Sequence, residues 1–270
     1  MAKTSVAKKR VGARKVAEVP SNVLRELEAG KLETANLVES LAVNQFVLAE
    51  NVLPELGLHS ALMAAQAMRV TLKKTTIVQV ISLMGRALAS QAKAASDRKE
   101  ILRVLAGHPS DLVRNWGAAT VGELSHSSWQ ARLTSIKPFA DDTHFGVREI
   151  AWMAIRPNVA EDLETALEGL MPWAESPREN LRRFASELTR PRGVWCKHLD
   201  ELKANPGLAL PLLEMLRSDP SKYVRDSVGN WLNDAAKSQP AWVKSVCRRW
   251  RQESATTETE AILKRAMRSL

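Results

Sequence analysis

The chain of 270 residues has only two cysteines, one tyrosine and four phenylalanines. Cys196 and Cys247 make no disulfide framework, which points to a reducing compartment and excludes the small cross-linked scaffolds. No apolar run approaches the roughly 18 residues that would suggest a membrane-spanning helix. The basic N-terminus is followed by no apolar stretch, so a secretory signal is not expected either. A cytoplasmic location follows, next to the nucleoid if DNA is the partner. Phosphate-binding glycine loops, HExxH and CxxC are all missing. The five histidines (His59, His108, His126, His144, His198) are scattered without metal-ligand spacing, so neither a metal nor a cofactor is expected.

What is present is a helical, basic chain. Hydrophobic residues make up 45% and charged residues 26%, enough for a sizeable core, and the net charge of +9 favours a polyanionic partner. All eight tryptophans lie beyond Asn115. Residues 1–20 carry Lys3, Lys8, Lys9, Arg10, Arg14 and Lys15 against one acid, Glu18, and read as a disordered basic tail. Residues 21–270 read as a single domain with helical apolar spacing throughout. The stretch TTIVQVISL at 75–83 comes closest to a strand, but its pattern continues into MGRALA and favours a helix.

Four segments align without gaps: VRNWGAATVG from Val113, VREIAWMAIR from Val147, LRRFASELTR from Leu181 and VRDSVGNWLN from Val224, with starts 34, 34 and 43 residues apart. Each follows a helix-start signal at 108, 141, 176 or 219 and each is preceded by another amphipathic helix. The stretch from about Thr257 reads as a degenerate capping repeat, and RPRGVW at 190–195 as a loop. Helix pairs at this period indicate an all-α, HEAT-like repeat solenoid, an α-α superhelix whose second helices line a concave face.

Within each repeat helix, positions 0, 3, 4 and 7 share one stripe, from Val113, Trp116, Gly117 and Thr120 to Val224, Ser227, Val228 and Trp231; this is the predicted core. Positions 2, 5, 6 and 9 form the other stripe, predicted to face the groove. It includes Asn115, Glu149, Trp152, Arg156, Arg183, Glu187, Arg190, Asp226 and Asn233, with the small residues Ala118, Ser186 and Gly229 keeping the groove open. The arginine at position 1 (Arg114, Arg148, Arg182, Arg225) recurs in a way that favours a structural role. Carboxylates repel phosphates, so acids in a basic groove suggest a role with a cation, while pairing with the neighbouring arginines is the plainer alternative. Trp152 is either an aromatic platform for a base or sugar, or a cover for the next helix.

The runs FGVREIAWMAIRP (145–157), NLRRFASELTRPRGVW (180–195) and SVGNWLNDAAKSQP (227–240) resemble the AlkC branch of the AlkC/AlkD family of bacterial DNA alkylation repair glycosylases. The resemblance is strong over about 96–252 and looser over 30–95. It implies excision of positively charged alkylated bases, such as 3-methyladenine, from duplex DNA in base excision repair. A carboxylate would stabilise the oxocarbenium-like sugar and activate water, without a cofactor. The family's acids fall most naturally on Glu149, with Glu187 and Asp234 as further candidates; Asp226 comes from the repeat alignment alone. Trp152 fits the aromatic role. Arg148, Arg156, Arg183, Arg190, Lys222 and Asn233 are the candidate DNA contacts. A monomer acting without membrane or obligate protein partner is expected, and the chain's end soon after the last helix suggests that the C-terminal immunoglobulin-like domain of some members is absent. The alternative is a HEAT-repeat module that binds damaged or branched DNA without chemistry.

Overall fold

The computed structural model describes residues 10–72, 76–92 and 95–270, and among these there are helices and turns but no strand. Where the sequence suggests one domain over 21–270, the chain divides into two compact units, 1–124 and 125–270. The first holds α1 (Ser21–Glu28), α2 (Leu37–Ala42), α3 (Gln45–Glu55), α4 (His59–Arg69), α5 (Ile77–Gln91), α6 (Ala95–Ala106) and α7 (Asp111–Glu123). The second holds α8 (Trp129–Ala140), α9 (Phe145–Glu161), α10 (Leu163–Ala174), α11 (Glu179–Leu188), α12 (Asp200–Ala204), α13 (Leu210–Met215), α14 (Lys222–Ala236), α15 (Pro240–Glu253) and α16 (Thr257–Ala266).

In the first unit, the 75–83 stretch is helical from Ile77, started by a capping box in which Thr76 accepts from Gln79 N. Thr75, Lys3, Lys8 and Lys9 lie outside the described residues. From residue 10 on, the predicted tail is ordered: Arg10 Nη1 and Nη2 reach Glu39 at 2.5 and 2.7 Å, and Val16–Glu18 forms a 3-10 turn. The buried Trp116 donates to Gln45 Oε1 at 2.7 Å. Helices α5 and α7 approach so closely at Gly85 that a Cβ there would lie 2.8 Å from the Ala119 backbone carbon. Backbone cannot step aside as a flexible side chain can. Gly85→Ala is therefore expected to destabilise the protein by about 1–3 kcal/mol, despite alanine's better helix propensity; thermal unfolding reads the change, and an unchanged Tm contradicts this packing.

In the second unit, α9, α11, α14 and α16 pack side by side in that order, each a second helix of its pair. The predicted core stripe is buried at Val147, Ala151, Leu181, Phe184, Ala185, Leu188, Val224, Ser227, Val228 and Trp231. The recurrent arginine holds the turn before its own helix. Arg148 Nη1 donates to the carbonyls of Asp142 and Thr143, Arg182 Nη1 to that of Ser176, and Arg225 Nη1 to those of Asp219 and Pro220. Arg114 does the same in the first unit with His108 and Pro109. Arg182 also makes a bidentate pair with the buried Asp219, at 2.6 and 3.0 Å, linking one repeat to the next.

The second stripe is more buried than its period suggests, because each second helix lies against the next. Ser186 Oγ meets Ser227 Oγ at 2.5 Å, and a Cβ at Gly229 would sit 2.8 Å from Arg265 Cβ. These small residues do not hold a groove open; they let neighbouring helices touch. Ala118, also fully buried, plays no groove-opening part in the first unit.

Candidate active site

Three second helices of the C-terminal unit and the loop after α11 build an alternating chain of charges. On α9, Glu149 and Trp152 lie one turn apart, and Trp152 Nε1 donates to Glu149 Oε2 at 2.9 Å. On α11, Arg183 Nη2 donates to Glu149 Oε1 at 2.7 Å and lies 3.5 Å from Glu187 Oε1. Arg190, just beyond α11, bonds Glu187 Oε2 at 3.1 Å and Asp234 Oδ2 on α14 at 2.7 and 2.9 Å. Lys237 closes the far end on Asp234 at 3.4 Å. Burial opposes the charges of Arg183 and Arg190, yet the adjacent carboxylates outweigh it and raise both pKa values above the ordinary arginine value.

This chain has one open end. The side chain of Glu149 is 36% exposed, whereas those of Glu187 and Asp234 are 4% and 6% exposed. Each Glu149 oxygen accepts one internal hydrogen bond, and an ionised carboxylate has room for about two more. Glu187 and Asp234 are enclosed by their arginines. Asp226 is as exposed as Glu149, but it is held between Lys222 Nζ at 2.6 Å and Arg265 Nη2 at 2.7 Å.

Several candidate residues sit elsewhere than the sequence suggests. Trp152 is no exposed platform: its ring is buried and its N–H engages Glu149. Arg156 does not face the groove as predicted; it is buried, with its guanidinium donating to the carbonyls of Leu188 (2.7 Å), Lys197 (3.0 Å) and Arg190. Asn233 is buried too, donating to Ala266 O and Ser269 Oγ and accepting from Arg268 Nε. Arg148 is engaged by its own turn and by Tyr223, whose hydroxyl accepts from its Nε at 3.2 Å. Arg183 and Arg190 are largely enclosed in the charge chain, which leaves Lys222 the most exposed of the candidate DNA contacts. Asn115 belongs to the first unit and is buried there.

Two features escape the repeat alignment. Tyr223, the single tyrosine, lies between two guanidinium groups, with Arg183 4.2 Å and Arg148 5.2 Å from its ring centre. It backs the arginine that orients Glu149. Beside it, α14 and α16 frame a shallow groove lined by Lys222, Arg225, Lys264, Arg265 and Arg268 with one acid, Asp226. The last turn of a helix favours cations, so Lys264 and Arg265 also complement the α16 dipole.

The two thiols take no part. Burial pushes Cys196 up and Cys247 to about 11, so both stay protonated at neutral pH. Among the described residues, no three histidine, cysteine or carboxylate side chains are placed to hold a metal ion. Among the same residues, no helix is long and apolar enough to cross a membrane.

Residues 147–270 match the family described as DNA alkylation repair enzyme. A Bacillus subtilis (strain 168) protein, described as uncharacterized protein YhaZ, is 39% identical over 136 residues, which is 50% of this chain and 37% of that protein. The Pseudomonas fluorescens alkylpurine DNA glycosylase AlkC, solved bound to DNA containing an abasic site analog, superposes with a TM-score of 0.66 at 26% identity. That match covers 80% of this chain and 58% of AlkC. AlkD2 from Streptococcus mutans shares the fold, with a TM-score of 0.59 at 22% identity over 77% of this chain and 98% of AlkD2. The chain thus spans well under half of the curated relative and just over half of the solved AlkC.

Proposed function

We propose that this chain, whose residues 147–270 match the family described as DNA alkylation repair enzyme, is a DNA glycosylase acting as a monomer on positively charged alkylated bases in duplex DNA. The observation that carries this reading is Glu149: a half-buried carboxylate fixed on one side by an indole N–H and a guanidinium and open on the other.

A cationic base such as 3-methyladenine leaves with the electron pair of its bond to C1′ of the deoxyribose, becoming neutral as the sugar becomes oxocarbenium-like. Glu149 placed beside C1′ stabilises that developing charge because its geometry is set before the reaction. Water then attacks C1′, and its proton passes to Glu149 or to solvent. Arg183 and Trp152 hold the carboxylate without neutralising both its oxygens, and Tyr223 steadies Arg183. These three are positioning residues. Glu187 and Asp234 keep the chain of charges in register.

The purified chain is expected to release free methylated base from methylated duplex DNA in the presence of a chelator, as read by chromatography. Tight duplex binding with no release assigns the chain to non-catalytic DNA recognition instead. The α14/α16 groove supplies the phosphate contacts in this reading. Lys222→Gln with Lys264→Gln is expected to lower the slope of log affinity against log salt by about 2, across all DNA sequences. An unchanged slope removes this groove from the interface.

A further inference from the structure

Among the described residues, the loop between α11 and α12 stands out in its exposure and in its backbone conformation. Trp195 is 70% exposed, the only exposed tryptophan of the eight, and Val194 beside it is exposed as well. Trp195 is also the only non-glycine residue with positive φ (59°) among the described residues, a conformation that an indole-bearing residue adopts only when its surroundings impose it. Those surroundings are the buried Arg156, whose guanidinium holds the carbonyls of Leu188, Arg190 and Lys197 and so clamps the loop at both ends. Leu199 N donates to Pro191 O across its base at 3.1 Å. At Gly193 a Cβ would run into Cys196 Sγ and lie 3.2 Å from Arg156 Cζ. The backbone is tightly wound, and its tip points an apolar ring at solvent.

A lone exposed apolar side chain is ordinary. One carried at positive φ on a loop anchored at both ends by a buried guanidinium is not. The charge of the loop indicates the occupant: Arg192, Lys197 and His198 neighbour the tip in sequence, Arg192 reaching Ser238 Oγ at 2.8 Å and Lys197 and His198 lying near Asp200, and no acid occurs from Pro191 through Leu199. An exposed aromatic face on a loop of net positive charge suits a nucleobase beside phosphates better than an apolar protein surface. We infer that the 190–198 loop is a preformed DNA contact that stacks the Trp195 indole on an unstacked nucleobase. This rests on DNA being the partner proposed above, and it goes beyond that proposal because Trp195 lies outside the charge chain that ends on Glu149. It also gives Arg156 a role: a positioning residue for the loop rather than a phosphate contact.

The test uses the full chain and two duplexes of one sequence, one intact and one with a single tetrahydrofuran abasic-site analogue that leaves the opposite base poorly stacked. On binding the abasic duplex, tryptophan emission is expected to fall, and acrylamide quenching to diminish as the indole is covered. Trp195→Phe removes this optical change. Trp195→Ala weakens binding to that duplex about ten-fold while leaving the salt slope unchanged, because the indole is neutral. The side chain is exposed, so both variants are expected to melt like wild type. Wild-type affinity in Trp195→Ala, or an indole that acrylamide reaches equally in free and bound protein, overturns the inference. Base release by wild type together with either of those results sinks the loop alone. Indole protection and weakened Trp195→Ala binding without base release sink the glycosylase reading and leave the loop standing. A wild-type chain that binds neither duplex at low salt overturns both.

Discussion

Glu149→Gln is expected to reduce single-turnover base release by at least about 100-fold, since removing one preorganised electrostatic partner of a developing charge costs on the order of 2.7–4 kcal/mol in the barrier. The amide keeps the volume and can still accept from Trp152 Nε1, so the fold and DNA affinity stay near wild type. In the proposed reaction, what is lost is the carboxylate charge that faces the sugar cation. Arg183 loses one of two carboxylates but retains Glu187 at 3.5 Å and the Tyr223 ring, so the charge chain survives with a neutral end. The measurement is the rate of base release at saturating enzyme, with binding followed separately. Parallel loss of rate and affinity would point to unfolding of the α9–α11 contact rather than to lost chemistry.

Arg156→Leu is the second large effect, and it falls on stability. The side chain is 2% exposed and satisfies three carbonyls. Burial lowers its pKa, which marks how far the guanidinium has been taken from water. Leucine leaves those carbonyls without a donor, at about 1–3 kcal/mol for each that water cannot reach, so a net loss of roughly 3 kcal/mol is expected. For a chain of this size that corresponds to a Tm lower by about 6–12 °C. DNA affinity falls only through the freed 190–198 loop, and the salt slope stays as in wild type. A reduced slope with an unchanged Tm would restore Arg156 as a phosphate contact.

The contrast between Arg156 and Glu149 shows what the sequence makes legible. Apolar period and the repeated Val-Arg openings place the second helices and their buried stripe, because those signals are local. Glu149 stands out for the same reason, as an acid in a motif whose neighbours are arginines. Arg156 carries an identical signal and has the opposite fate. Its partners are backbone carbonyls 32 to 41 residues later, and a carbonyl leaves no trace in the sequence. Gly229 and Ser186 mislead in a related way: small residues mark a gap or a close contact equally well, and only the neighbouring Arg265 and Ser227 decide. Tyr223 was visible as the single tyrosine, but its arginines come from two other helices, 75 and 40 residues away in sequence. The cations of α16 are concealed by a terminal helix that matches the repeat poorly.

The central claim is that the open end of the charge chain, Glu149, is the acid that faces the sugar. The direct measurement is single-turnover release of one positively charged methylated base from a defined duplex by wild type, Glu149→Gln and Asp226→Asn under identical conditions. Rapid release by wild type is expected, with loss of at least about 100-fold in Glu149→Gln and a rate within a few-fold of wild type in Asp226→Asn, whose carboxylate already lies between two cations. Full activity in Glu149→Gln, with the loss appearing in Asp226→Asn instead, would contradict it.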